Sequence, residues 1–489
     1  MTSASLHDCG LPAGAAVPEG RSFRDPDGSL VQAGGRILRC VAKAAAARLR
    51  IFLASPAAQD LFEAGKLIPT WELPEREQEA LGRTWSFEEG RPAEAAWFEH
   101  EKVPFPSYPY EWSPGMLHSA ARLTLDLSSR LHPAGLGLKD ATPYNVLFRG
   151  PSPVFIDLLS IERRQPGDAV WRPYAQFAST FLLPLAINRR YGLAIQGLLL
   201  VNRDGIDPEQ AWRLLSPGAK LRAPFLGLVT IPELLRRAGA VRESHYSARS
   251  TGNPERASFV LEFFYRRLRR QVGKLEPNAR TESTWTGYMG NLSYGREEFE
   301  AKEKFVAEVL ARQTPRRVLD VGCNTGAFSL MAAREGAEVV AIDSDEAVID
   351  RLWRTASAQK LNILPLVTNL ARPTPRMGWR NAECGSFLDR ASGRFDLVLM
   401  LAVIHHMMVS ERIPIGEIMA LASDLTTEAV VVEYVDPADP MFRAIARGRG
   451  HLHAGFNPDV FRSCSERWFK VERTLEISPT RRLFHLRKK

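Results

Sequence analysis

The sequence predicts an α/β chain in two parts: a Rossmann-like, doubly wound domain over 277–489, preceded by a mostly helical α+β domain over 21–276. Three observations carry this. The length of 489 residues exceeds what one ordinary core fills. The stretch Arg317–Glu346, RVLDVGCNTGAFSLMAAREGAEVVAIDSDE, runs from an apolar strand through a glycine turn and an apolar-faced helix into a second strand, a βαβ unit. Upstream of it helical spacing dominates; downstream, short apolar runs alternate with helical ones.

The turn of the βαβ unit carries the chemistry. Its pattern is D-x-G-x-N-x-G, from Asp320 at the strand end through Gly322 and Asn324 to Gly326. Glycine lets the backbone bend sharply and lets a ligand lie against its amides. A dinucleotide site would prefer G-x-G-x-x-G facing a pyrophosphate, which Asp320 would repel; the acid suits a cationic amino-acid moiety instead. Asp343 ends the second strand 17 residues beyond Gly326, where an acid can accept both hydroxyls of a ribose. An ordinary βαβ core is the rival reading, and the paired acids count against it. The stretch resembles motif I of the class I S-adenosylmethionine (SAM)-dependent methyltransferases, with Asn324 in place of the middle glycine. That resemblance implies a seven-stranded class I fold whose glycine turn packs against the methionine part of SAM.

Composition excludes several classes. With 45% hydrophobic and 25% charged residues the chain reads as ordinary globular protein, and a net charge of +8 without a lysine tract does not demand an acidic partner. Cys9, Cys40, Cys323, Cys384 and Cys464 form no C-x-x-C pair, so neither a metal site nor a disulfide framework is expected, and a reducing, cytoplasmic setting fits. The N-terminus lacks the basic start and apolar core of a signal peptide. The most apolar region, 177–201, is broken by Pro184 and Arg189-Arg190, and reads as buried helices rather than a membrane span.

Taken in order, residues 1–20 read as a loose leader. An Asp25-Pro26-Asp27-Gly28 turn then predicts a β-hairpin, with helical character through 46–64. An aromatic, Pro-rich entry from Pro104 to Trp112 leads to a helix over 116–131. A loop then brings Asp140 and Asn145, and the run Val154–Ile156 delivers Asp157. This spacing resembles the catalytic loop and metal-binding acid of kinases and aminoglycoside-type phosphotransferases, in which the first acid orients the receiving hydroxyl and the Asn and second Asp hold magnesium on ATP. The lead-in Leu138-Lys139, the triplet Asp-Leu-Leu and the lack of a glycine-rich phosphate loop depart from that pattern; Lys43 is a poor candidate for the ATP-pairing lysine. We read a kinase-like lobe that has lost phosphotransfer, with Mg-ATP a cofactor only if the lobe is active.

Residues 166–275 read as mostly helical. The helix near Glu255–Val272 places Val260, Leu261, Phe264, Leu268 and Val272 on one face and Arg266, Arg267, Arg269 and Arg270 on the other, a solvated face in preference to a nucleic-acid surface. KLEPNAR, 274–280, is the best boundary. Trp285, Tyr288 and Tyr294 follow as a cap of the kind that closes over SAM in related enzymes.

Beyond Asp343, a helix over 346–357 leads to the strand ILPLVTNL, whose closing Asn369 commonly faces the adenine in the class it resembles. The buried strand Leu397–Leu401 ends at His405-His406, above the carboxyl edge where open α/β sheets bind ligands. A histidine there can serve as general base for a hydroxyl. A helix over 415–425, the strand Ala429–Tyr434 with Glu433 and Asp436 at its end, and a closing antiparallel pair (468–475 and 482–486) complete the domain.

The hairpin RDPDGSL and the blocks YPYEWSPGML, LKDATPYNVLFRG, VFIDLLSIE, NLARPTPRMGW and LAVIHHM together resemble the large bacterial SAM-dependent methyltransferases related to the nodulation-associated NoeA proteins, over roughly 20–489. The resemblance implies SAM held by Asp320, Gly322, Asn324, Gly326, Asp343 and Asn369, and a methyl acceptor that is a glycan or small hydroxylated metabolite. It leaves oligomeric state open. Two alternatives stand beside it: a bifunctional kinase–methyltransferase using Asp140, Asn145 and Asp157, and a nucleic-acid-binding methyltransferase. Against the second count the missing RNA-binding module and the lack of an Asn-Pro-Pro-Tyr tetrad after Leu401.

Overall fold

The computed structural model describes residues 24–84, 95–239, 252–277 and 296–489. The leader over 1–20 and the cap of Trp285, Tyr288 and Tyr294 fall outside them. The described chain begins with a hairpin, β1 (Gly28–Ala33) and β2 (Arg36–Ala42), which joins β3 (Thr70–Glu72) and β4 (Ala95–His100) in an antiparallel sheet of order β1-β2-β4-β3. Its turn is Gly34-Gly35 and not the Asp-Pro-Asp-Gly stretch expected from sequence. A two-residue turn between twisted strands needs positive φ at both positions, and these glycines supply +58° and +80°. Asp25–Gly28 instead forms a loop ahead of β1, in which the Asp25 carboxylate accepts the Asp27 N–H at 3.0 Å.

Helix α1 (Lys43–Leu53) follows β2, and α2 (Pro114–Leu131) is the buried axis of this half. The Ser113 hydroxyl caps α2 by accepting from Met116 N–H at 3.3 Å, with Pro114 at the first helical position. Two short strand pairs then carry the polar loop: β5 (Leu136–Leu138) pairs with β8 (Ile161–Arg163), and between them β6 (Val146–Arg149) forms a hairpin with β7 (Ser152–Phe155). Of the helices beyond, α3 (Ile195–Val201) and α4 (Pro254–Lys274) matter here. The buried stripe of α4 is Ala257, Leu261, Tyr265, Leu268 and Val272. Val260, expected inside, is 43% exposed, because the stripe advances by four, four, three and four residues and passes it by. Arg266, Arg267, Arg269 and Arg270 face solvent, Arg269 reaching Asp126 at 3.4 Å.

The second half opens with α5 (Arg296–Gln313) and then alternates β9 (Arg317–Val321), α6 (Ala327–Arg334), β10 (Glu338–Asp343), α7 (Glu346–Gln359), β11 (Ile363–Val367) and β12 (Phe395–Met400). There follow α8 (Ile404–Val409), α9 (Ile415–Leu425), β13 (Thr426–Val435), α10 (Pro440–Ala446), β14 (Phe469–Ser478) and β15 (Arg481–Lys488). One sheet holds all seven strands, in the order β11-β10-β9-β12-β13-β15-β14. β9 to β13 are parallel and β15 runs against both its neighbours. Helices cover both faces, so strands such as β11 are apolar throughout and every residue is buried. The strand order reverses between β9 and β12, and that switch point opens a crevice at their carboxyl ends.

The two halves share one apolar core running from Val41 to Leu486. The seam between them is also bonded by polar groups. The Asp350 carboxylate, on α7, accepts from Ser113 Oγ at 2.9 Å and Gly115 N–H at 2.7 Å. Glu346 accepts from Ile195 N–H at 2.7 Å and Asn188 Nδ2 at 3.0 Å, and Gln196 donates to the Val367 carbonyl at 2.9 Å. Glu111, fully buried, holds Arg390 in an ion pair and accepts from Thr374 Oγ1 at 2.6 Å. Among the described residues no helix is long and apolar enough to cross a membrane.

Candidate active site

The crevice at the end of β9 is assembled by hydrogen bonds that the local sequence dictates. Gly322 N–H and Cys323 N–H both donate to the Ile342 carbonyl, at 2.9 and 3.1 Å, and fold the turn back against β10. Gly322, Asn324 and Gly326 take φ of +68°, +50° and +84°. At Gly326 the requirement is also spatial: a Cβ would lie 2.3 Å from Leu352 Cδ1, so only glycine lets α6 start this close to α7. Asp343 closes the arrangement. Its Oδ2 accepts from Asn324 N–H and its Oδ1 from Asp345 N–H, both at 3.0 Å, which leaves each oxygen a further lone pair. Burial pushes this carboxyl up, and the two amide hydrogen bonds oppose that.

Asp320 is only 2% exposed and accepts from Ser329 Oγ at 2.6 Å. Burial, reinforced by nearby Asp343, pushes its carboxyl up to about 6. Thr368, just beyond β11, donates its N–H to the Asp343 carbonyl at 2.8 Å, and the Asn369 side-chain oxygen accepts from Ala371 N–H at 2.9 Å. Two oxygens at this edge, Asn324 Oδ1 and Thr368 Oγ1, are buried without a hydrogen-bond partner among the described residues. An orphaned buried oxygen costs free energy that a ligand can recover. A carboxylate with spare lone pairs, a turn of amides flanked by two glycines and two oxygens without partners among the described residues form a polar set that fits SAM. Sequence reasoning missed Ser329 and Thr368; the hydroxyl directly before Asn369, at a strand end, was the available signal.

Helix α8 carries the histidine pair. His405 is fully buried, and neither ring nitrogen has a partner among the described residues. Burial, then neighbouring His406 and Lys302, hold its pKa well below the ordinary imidazole value of 6.5. His406 is part-exposed and is lowered by burial alone. The rings lie 4.4 Å apart, and His405 lies 6.4 Å from Phe442 of α10 at an interplanar angle of 23°. Beside them, at the end of β13, Glu433 is gripped by Lys302 at 2.6 Å and Arg481 at 3.1 Å, while Arg481 also pairs with Asp439 at 2.7 Å. Of the strand-end acids noted in the sequence, Asp436 accepts from Tyr434 OH at 2.9 Å.

In the front half the structure brings Asp140 and Asp157 near enough for their charges to repel, and the Lys139 cation opposes that effect on Asp140. Burial pushes the Asp140 carboxyl up. Asn145 Nδ2 is buried without a partner among the described residues, and the Asn145 carbonyl accepts from Ile156 N–H at 2.9 Å. Asp157 is engaged otherwise: Arg39 of β2, 6% exposed, donates to it at 2.8 Å and to Asp25 at 2.8 Å. Lys43 stands exposed at the start of α1. The cation opposite Asp157 is therefore an arginine four residues earlier, which the search for a lysine overlooked.

Similarity to known proteins bears on this geometry. The nodulation protein NoeA of Rhizobium meliloti (strain 1021) is 30% identical over 467 residues, covering 94% of either chain. The chain belongs to the NoeA family. The methyltransferase-domain family model matches residues 294–462, the stretch that holds the crevice and the histidine pair, and the protein is a SAM-dependent methyltransferase. A local likeness extends to the O-antigen chain terminator bifunctional methyltransferase/kinase WbdD of Escherichia coli, 30% identical over 141 residues, which are 27% of this chain and 17% of that one. A crystal structure of WbdD covers 43% of each chain at 21% identity with a TM-score of 0.30.

Proposed function

We propose that residues 277–489 transfer a methyl group to a hydroxyl of a glycan or small metabolite, and that 21–276 form a kinase-like lobe acting as scaffold. The observation that carries the reading is the turn at the sheet's switch point, where Asp343 holds the Asn324 amide and keeps lone pairs free. Asp343 would accept the ribose hydroxyls, the Gly322–Gly326 turn would cradle the amino-acid portion near Asp320, and Asn369 would face the adenine. SAM, when bound, supplies a methyl already activated on a sulfonium. The chain's part is then proximity, orientation and removal of one proton.

His406 is the better base of the pair because it is part-exposed, whereas His405 is sealed. Its depressed pKa keeps the imidazole neutral, and able to take a proton, down to pH values below 6.5. The sign follows: kcat/KM should hold as pH falls through 6.5 and decline only below it. His406→Ala should lower the plateau by about 10²- to 10⁴-fold. A wild-type decline centred above 6.5 would remove His406 from this role.

The front lobe is read as inactive in phosphotransfer because Arg39 occupies Asp157, the acid that would hold magnesium. The test is calorimetric titration of the full chain with S-adenosylhomocysteine, and in a separate cell with ATP and magnesium. Binding of the first and silence with the second are expected. Heat with Mg-ATP would restore the bifunctional alternative; silence in both cells would overturn the cofactor reading.

A further inference from the structure

The segments that follow β12 and β13 line an open cavity of about 260 Å³ on the side of the sheet where the histidine pair stands. Its floor is Met408 and Val409 of α8 with Ile413 and Ala446. Met408 and Val409 lie three and four residues beyond His405, so one face of α8 carries both the buried imidazole and the cavity floor. A line of rings connects them: His453 in the cavity wall meets Phe442 edge-on at 5.4 Å, and Phe442 faces His405 at 6.4 Å. The rim is different in kind. Arg412 and Arg449 line it, both are exposed, and no carboxylate among the described residues pairs with either. Leu452, 67% exposed, forms the lip. An apolar floor under two uncompensated guanidinium groups is complementary to one kind of molecule.

We infer that this cavity is the acceptor pocket, and that the acceptor is an amphiphilic anion, its apolar part seated on Met408, Val409 and Ile413 and its acidic group held by Arg412 and Arg449. The inference rests on the methyltransferase reading above, and narrows the acceptor class.

The probes are octyl phosphate, octyl glucoside and inorganic phosphate, titrated calorimetrically into the full chain saturated with S-adenosylhomocysteine. Octyl phosphate should bind saturably, octyl glucoside at least about tenfold more weakly, and inorganic phosphate more weakly still, because neither control supplies both halves of the match. The double variant Arg412→Glu, Arg449→Glu should lose octyl phosphate by more than tenfold while its affinity for S-adenosylhomocysteine stays unchanged, which also reports that it folds. Met408→Trp, which fills the floor, should lose octyl phosphate with the rim intact. Equal binding of octyl phosphate by the wild type and the charge-reversed variant would overturn the inference. So would retention on phosphatidylglycerol vesicles, lost in that variant, without saturable octyl phosphate binding; that outcome assigns the patch to a membrane surface. Failure to bind S-adenosylhomocysteine at all would strike the methyltransferase reading itself, and is seen before any probe is added.

Discussion

Asp343→Ala is expected to weaken S-adenosylhomocysteine binding by at least about 100-fold. Two hydrogen bonds from ribose hydroxyls to an ionised carboxylate contribute roughly 1.5–3 kcal/mol each, and about 3 kcal/mol is already more than a hundredfold in affinity. A second loss adds to it, since the carboxylate also fixes Asn324 N–H and Asp345 N–H at 3.0 Å and so sets the turn. The two contributions separate by measuring the ligand-free protein. Burial pushes the Asp343 carboxyl up, so loss of its charge offsets part of the cost of freeing the two amides, and the unfolding temperature of the ligand-free variant should fall only slightly. Lost affinity with retained thermal stability assigns the acid to the ribose. Affinity equal to wild type would remove that assignment.

The seam should respond as strongly, in stability. Glu111→Ala leaves Arg390 buried without its carboxylate, a change that typically costs about 3–5 kcal/mol. It also strips the acceptor from Thr374 Oγ1 (2.6 Å) and from Tyr108 N–H (3.1 Å). Arg390 keeps some compensation, lying 4.9 Å from the Tyr108 ring and 5.2 Å from that of Phe105, which argues for the lower end of that range. Urea unfolding followed by tryptophan fluorescence should show an earlier midpoint, with the halves separating into two transitions. The double variant Glu111→Ala, Arg390→Met should recover most of the loss, because the buried charge goes with its partner. A single variant as stable as wild type would mean that the pair holds nothing together.

What could be read from the sequence follows distance along the chain. The strand, turn, helix and strand of 317–346 were legible because each step is set by neighbours: glycines where φ turns positive, apolar runs where both sheet faces are covered, an acid at a strand end. The histidine pair was legible for the same reason, standing a few residues beyond a buried strand. Where two local signals competed the stronger-looking one misled. Asp-Pro-Asp-Gly resembles a turn, yet the hairpin closes at Gly34-Gly35, which fits the twist of the flanking strands. Val260 fits a helical stripe by spacing, and the wider Tyr265 takes the seam.

Partnerships between distant residues were not legible. Arg39 meets Asp157 across 118 positions and Lys302 meets Glu433 across 131, and neither residue's neighbours announce its partner. One trace was present: Arg39 is a charged residue in the otherwise apolar run ILRCV, and a buried charge in a strand requires a counter-charge somewhere.

Asp350, which caps the front helix through Ser113 and Gly115, sits on the helix that follows Asp343. The helix cap of the front half is therefore completed by a carboxylate of the other half. A substitution at 113 or at 350 removes the same bond, so the start of the front helix and the far side of the seam are one structural unit. The likeness to NoeA likewise runs through both halves, covering 94% of either protein.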